Sequence, residues 1–159
     1  MTAYADFEEF VVARRGALLR TAYLLTGNHH DAEDLVQSAL IKVVPKWKRI
    51  KNRPEPYVRK VLARDSVSRW RSRRWREVST DVVPEATHHD STDRIELLED
   101  LRKLSPRQRA VLVLRYFDDL TEVDTAEALG ISVGTVKSHA RDALQRLRER
   151  QPHEERQRL

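Results

Sequence analysis

From Thr121 to Leu147 the spacing of small, flexible and apolar residues favours one local arrangement: a short helix, a tight turn and a second, longer helix. Ala126 is small enough to let two helices approach closely. Gly130 supplies the positive φ of the turn at Gly130-Ile131-Ser132, and Val136 returns to pack on the first helix. Along the second helix, Val136, Ala140, Ala143, Leu144 and Leu147 recur at helical spacing and face inward. That leaves Thr135, Lys137, Ser138, Arg141 and Gln145 outward, behind a Ser132 cap, and these hydroxyls and cations suit base edges and phosphates in a major groove. The pattern therefore reads as a helix-turn-helix. An ordinary helical hairpin with a basic outer face has the same apolar stripe. The coincidence of the glycine, the small residue four positions before it and the serine cap favours the helix-turn-helix.

The rest of the chain also has helical period. Asp6 and Glu9 have capping-box character before Phe7, Phe10, Val11, Leu18, Thr21 and Leu25, and Gly27-Asn28 ends that stripe. A second stripe runs through Ala32, Leu35, Val36, Ala39, Leu40 and Val43, up to Pro45. Asp31, Glu33, Asp34 and Gln37 lie off it, with acids crowding the first turn, where the helix dipole favours them. Lys46 to Arg53 reads as a polar loop. Pro54-Glu55-Pro56 then opens a third helix that can bury Tyr57, Val58, Val61 and Leu62. Ser79 to Asp93 has no apolar period and reads as a linker. Beyond it come Ile95, Leu97, Leu98, Leu101 and Leu104. Ser105-Pro106-Arg107-Gln108 follows as cap, first-turn proline and capping-box glutamine before Val111, Leu112, Leu114, Tyr116 and Phe117. The expectation is an all-α protein with two small helical domains, 1–77 and 94–150, joined by an acidic linker at 78–93, with a tail at 151–159.

The charges are segregated along the chain. Glu55 to Arg76 holds eight Lys/Arg against two acids, Glu77 to Asp100 eight acids against one arginine, and Lys137 to Arg150 five bases against two acids. Basic faces attract nucleic acid by releasing condensed counterions, and they attract acidic proteins and membranes as well. In the first basic block Arg64, Arg69, Arg71, Arg73, Arg74 and Arg76 interleave with Trp70 and Trp75, a poor core and a good surface for phosphates and unstacked bases. Core packing of the two tryptophans is the other reading. The absence of cysteine excludes disulfides, thiolate zinc sites and cysteine nucleophiles. No run approaches the roughly 18 apolar residues of a membrane span, so a cytoplasmic location without membrane insertion is expected. Neither a Gly-rich phosphate loop nor a nucleophile beside a base is present, so no catalytic residue, cofactor or metal is expected. His29-His30 and His88-His89-Asp90 have metal-donor chemistry, but adjacent histidines rarely converge on one ion.

Two patterns together resemble the extracytoplasmic-function (ECF) group of sigma factors, the minimal members of the sigma-70 family. Asp31-Ala32-Glu33-Asp34-Leu35-Val36-Gln37-Ser38-Ala39-Leu40-Ile41-Lys42-Val43, followed by Tyr57-Val58-Arg59-Lys60-Val61-Leu62 and the Arg/Trp helix, resembles sigma region 2. Leu104 to Leu112 and then Ala126 to Ser138 resemble region 4. The resemblance implies a non-enzymatic RNA polymerase subunit that directs promoter recognition, melting and transcription initiation in bacteria. Its implied partners are core polymerase, through the β′ clamp helices and the β flap, and promoter DNA. Many members are also held by an anti-sigma partner. By the same resemblance Asp31, Asp34 and Gln37 are clamp-docking candidates, although a solvated helix start explains them equally. The loop from Lys48 to Pro54, with Asn52 and Arg53, corresponds to the one that captures a flipped base of the -10 element. Arg59, Lys60, Arg64, Arg69, Trp70, Arg71, Arg73 and Arg74 correspond to the helix that grips the melted strand. Ser132, Thr135, Lys137, Ser138 and Arg141 correspond to contacts with the -35 element.

The chain departs from the family pattern at Arg64, where relatives commonly carry Asn, at Thr125, where many are aliphatic, and at Pro45. A stand-alone helix-turn-helix regulator is the competing reading. It would usually be a symmetric dimer, and it leaves the basic aromatic helix unexplained.

Overall fold

The computed structural model describes residues 3–76 and 92–157, and every regular element among them is helical. Helix α1 (Ala3–Thr26) ends at Gly27, whose φ of 76° and bond from its N–H to Tyr23 O (2.7 Å) close the last turn. A side chain at Gly27 would be strained by that φ, and its Cβ, 2.7 Å from Arg102 Nε, would force the arginine to shift. Asn28 caps α2 (His29–Val43), accepting the Asp31 N–H at 3.1 Å, and α2 buries Ala32, Leu35, Val36, Ala39 and Val43. This is the expected stripe. Pro45 lies in a tight turn at Val44–Lys46 that ends the helix.

The expected polar loop from Lys46 to Arg53 is corrected by the structure. Its first half is a short helix, α3 (Trp47–Ile50), and Trp47 is buried, with its ring 5.3 Å from that of Phe7 and 5.4 Å from that of Phe10. The neighbouring lysines and arginine remain exposed while the indole and Ile50 anchor the segment on the core. Burial of an aromatic ring of this size outweighs the polar surroundings, even with the indole N–H lacking a partner among the described residues. Helix α4 (Glu55–Arg76) then crosses the bundle and buries Val58, Leu62 and Ala63.

After the undescribed stretch, α5 (Thr92–Arg102) begins inside the expected end of the linker and buries Leu98 and Leu101. Ser105 forms the expected capping box at α6 (Pro106–Leu112): the Gln108 N–H reaches Ser105 Oγ and the Ser105 N–H reaches Gln108 Oε1, both at 3.2 Å. The apolar run from Val113 to Phe117 does not continue α6 regularly. It forms one wider turn, in which the Asp118 N–H bonds back to Val113 O at 3.0 Å. Thr121 caps α7 (Glu122–Leu129), Gly130 ends it with φ 67°, and α8 (Val133–Gln157) runs past the expected boundary at 150.

The two halves are packed on one another. Ala110 and Val113 join the apolar cluster formed by Leu18, Leu35, Val58 and Leu62, while Ala63 of α4 meets Leu114 and Ala128. A side chain such as Leu35, fully buried, contributes roughly 1.5–3 kcal/mol relative to exposure. The shared cluster therefore gives the seam between the halves an apolar driving force of its own.

Candidate nucleic-acid interface

The helix-turn-helix is assembled by Val111 of α6, Ala126 of α7 and Val136 of α8, which form one buried cluster with Leu129, Ile131, Val133 and Ala140 around it. Ser132 opens α8. Its Oγ accepts the Thr135 N–H at 3.0 Å and lies 2.8 Å from the Thr135 hydroxyl, so the two side chains form one cap. Thr135, Ser138 and Arg141 follow one another at three-residue spacing along one face, with Lys137 beside them. Ser138 Oγ donates to Gly134 O at 3.1 Å, and Lys137 Nζ is 3.8 Å from Glu122. Arg141 is exposed and makes no hydrogen bond or ion pair with another described residue. Thr125, the departure noted above, is fully buried with its hydroxyl lacking a partner among the described residues.

The candidates in the first half are not one basic face. Asn52 and Arg53 are exposed, on a turn closed by the bond from the Arg53 N–H to Ile50 O at 2.9 Å. Arg53, Arg59 and Lys60 line a cleft of about 460 Å³ together with Tyr57, and its opposite wall carries Asp124 and Glu127 of α7. Arg59 lies 3.4 Å from Glu55 and 3.8 Å from Asp118. Arg64 donates through Nε to Ala128 O at 2.8 Å and through Nη2 to Glu127 O at 3.3 Å. Arg69 turns the other way, onto α2, donating to Ser38 Oγ and to Asp34 O. The side chains of Trp70, Arg71, Arg73 and Arg74 and the linker histidines lie outside the described residues, as does the linker through Ser91.

On α2, Asp34 and Gln37 are exposed and Asp31 is partly covered; Asp31 and Asp34 lie in the first two turns and Gln37 at the middle of the helix. Asp34 lies 3.6 Å from His30 Nε2, and with Gln37 it borders a shallow pocket of about 300 Å³ that Val11, Leu19 and Leu40 also line. No group of three or more metal-ligating side chains occurs among the described residues, and none of their helices is long and apolar enough to cross a membrane.

Two residues of the seam carry weight that the sequence did not reveal. Arg109 is buried and holds four carbonyls, and Asp118 joins the halves by accepting the Thr21 hydroxyl at 2.9 Å. Burial pushes the Asp118 carboxyl above its ordinary value, against the lowering effects of Thr21 and Arg59 and with help from Glu55 and Asp119. The folded protein thus holds this proton more tightly than the unfolded chain does. The stability it contributes is full below the ordinary carboxylate range and is lost as pH rises through the raised value. Thermal melts from about pH 4 to about pH 7 are therefore expected to show the wild type losing ground to Asp118→Asn as pH increases. A constant difference between the two would contradict this.

Comparison with known proteins matches two segments of the chain. Residues 10–76 match the family described as Sigma-70 region 2, and residues 101–149 that described as Sigma-70, region 4. The chain is 43% identical over 150 residues to the RNA polymerase sigma-E factor of Streptomyces avermitilis, covering 91% of this chain and 84% of that one. It is 32% identical over 162 residues to the ECF RNA polymerase sigma factor SigE of Mycolicibacterium smegmatis, covering 92% and 62%. Among solved structures, the sigma factor RpoE in complex with the anti-sigma factor NepR from Bartonella quintana aligns with a TM-score of 0.74 at 26% identity, over 91% of this chain and 95% of that one.

Proposed function

The chain belongs to the sigma-70 family as an ECF RNA polymerase sigma factor, and we propose that its two halves divide promoter recognition between melted and duplex DNA. The first half, to about residue 77, holds the opened -10 strand, and the second, from about residue 94, reads the -35 duplex. What supports this division is the contrast between the two surfaces. The Asn52-Arg53 turn opens onto a cleft lined by Tyr57, Arg59 and Lys60, where a base can stack and phosphates can pair, while α8 presents Thr135, Lys137, Ser138 and Arg141 along one face. Arg69, Trp70, Arg71, Arg73 and Arg74 extend the strand-gripping role beyond the cleft. Asp31, Asp34 and Gln37 dock on the β′ clamp helices, and the second half reaches the β flap. The protein works in the bacterial cytoplasm and performs no chemistry of its own; initiation chemistry stays with the polymerase. An anti-sigma protein is a fitting further partner, since the aligned RpoE structure was solved with one.

Run-off transcription tests the reading. Purified core polymerase with this protein is expected to start transcripts at a discrete set of promoters in a genomic template library, and core polymerase alone is not. No added start sites would overturn it.

A further inference from the structure

Along α4 the hold on α2 changes character. Val58, Leu62 and Ala63 are buried in the first half of α4, and beyond them polar contacts take over much of the pairing. Lys42 Nζ donates to both carboxylate oxygens of Asp65, at 2.9 and 2.8 Å. One turn nearer the start of α2, Arg69 Nη2 donates to Ser38 Oγ and to Asp34 O, the latter at 3.3 Å. The two rungs are one helical turn apart on both helices, which run antiparallel here. The second rung closes on the turn of α2 that carries the docking candidates: Asp34 supplies the carbonyl, and Gln37 directly precedes Ser38. Arg69 holds this turn without covering either side chain, since both stay exposed. Both of its bonds leave from Nη2, and its remaining donors make no hydrogen bond with another described residue, so the hold on α2 leaves them available to a strand.

We infer that Arg69 is a positioning residue for polymerase docking: from α4, through the Ser38 hydroxyl and the Asp34 carbonyl, it fixes the turn of α2 that presents Asp34 and Gln37. This rests on the docking role proposed for those two side chains. An exposed side chain swings with any rotation of its helix about the axis, and docking costs less when that rotation is already fixed. A guanidinium suits the task, because its charge strengthens both bonds and its planar head holds the two acceptors in one geometry. The Lys42–Asp65 pair lies on the next turn of α2, beyond Gln37, and does not hold this one. Ser38 therefore belongs to the docking machinery through its hydroxyl, a role that a strand contact by Arg69 does not require.

Competition of full-length variants with fluorescein-labelled wild-type protein for core polymerase tests the assignment. Ser38→Ala removes the acceptor and leaves the charge of Arg69 in place. It is expected to bind core polymerase about three-fold to ten-fold more weakly, while transcript yield from a pre-opened promoter at saturating protein stays at the wild-type level. Loss of folded protein would do the reverse, lowering the active fraction at saturation without moving the affinity. Ser38→Thr keeps the hydroxyl and should match wild type. Arg69→Ala should weaken core binding at least as much as Ser38→Ala, and combining the two should add little, because both cut the same bond. Wild-type affinity of Ser38→Ala, or losses that multiply in full in the double variant, would overturn the inference. Asp34→Ala and Gln37→Ala read the docking roles separately. If both kept wild-type affinity while Ser38→Ala lost it, those two roles would fall and the hold of Arg69 on a docking turn would stand.

Discussion

Arg109→Ala is expected to lower the stability of the protein by about 3–5 kcal/mol, measured by urea unfolding, a large share of the roughly 5–15 kcal/mol a domain holds. Arg109 is buried, and its guanidinium donates to Leu101 O at 2.8 Å, Leu25 O at 3.0 Å, and Arg102 O and Leu104 O at 3.3 Å. Leu25 lies in the last turn of α1 and Leu101 and Arg102 end α5, so one side chain bridges carbonyls at the ends of two helices, that of Leu101 also accepting the Leu104 N–H at 3.2 Å. Desolvation opposes the arrangement: burial, with Arg102 nearby, pushes the Arg109 pKa below its ordinary value. That cost has already been met in the native state, whereas truncation strands several buried acceptors at once, each costing roughly 1–3 kcal/mol before water enters. Arg109→Lys should recover less than half of the loss, because an ammonium cannot match the planar fork that spans these acceptors. A loss below about 1 kcal/mol for Arg109→Ala would contradict this account of the seam.

Arg141→Ala is expected to weaken initiation at promoters with an intact -35 element by about 1–3 kcal/mol, roughly five-fold to more than a hundred-fold. The side chain is exposed on the face of α8 that carries Thr135 and Ser138, and it has no competing partner among the described residues. Removal should not disturb the fold, since the buried side of α8 rests on Val136 and Ala143. The signature is selectivity. On a template with a scrambled -35 element the variant should match wild type, whereas Arg53→Ala should weaken all templates alike and lower the salt slope by about one. Equal losses on both templates for Arg141→Ala would place Arg141 among the phosphate contacts.

What could be read from the sequence were features whose causes are local. The α2 stripe, the Ser105 and Gln108 capping box and the left-handed turn at Gly130 each depend on residues within a few positions, and each stands as expected. Trp47 was hidden by its neighbours: one large ring among lysines and an arginine gives no period, and its partners Phe7 and Phe10 lie some 40 residues earlier in the chain. Arg59, Arg64 and Arg69 were legible as cations but not as occupied ones. Apart from Glu55, four residues before Arg59, their acceptors on Asp118, on Ala128 and on Asp34 and Ser38 are remote in sequence, and composition cannot distinguish an arginine that waits for phosphate from one that holds a carbonyl. Arg109 was missed for the same reason. In sequence it reads as a charge between Gln108 and an apolar run, and only the convergence of α1, α5 and α6 makes it interior.

The division of labour between the halves is tested most directly by transcript yield from four versions of one promoter. The versions differ in whether the -35 element is intact or scrambled, and whether the -10 region is duplex or pre-opened by mismatches. With core polymerase and the wild-type protein, scrambling should cut yield, and pre-opening should restore much of it, because the first half then binds a strand already melted. Arg141→Ala should lose yield only on templates with the intact -35 element, and Arg53→Ala should lose it on all four. If pre-opening left yield unchanged, or if the two variants responded alike to all four templates, the proposed split between strand holding and duplex reading would be contradicted.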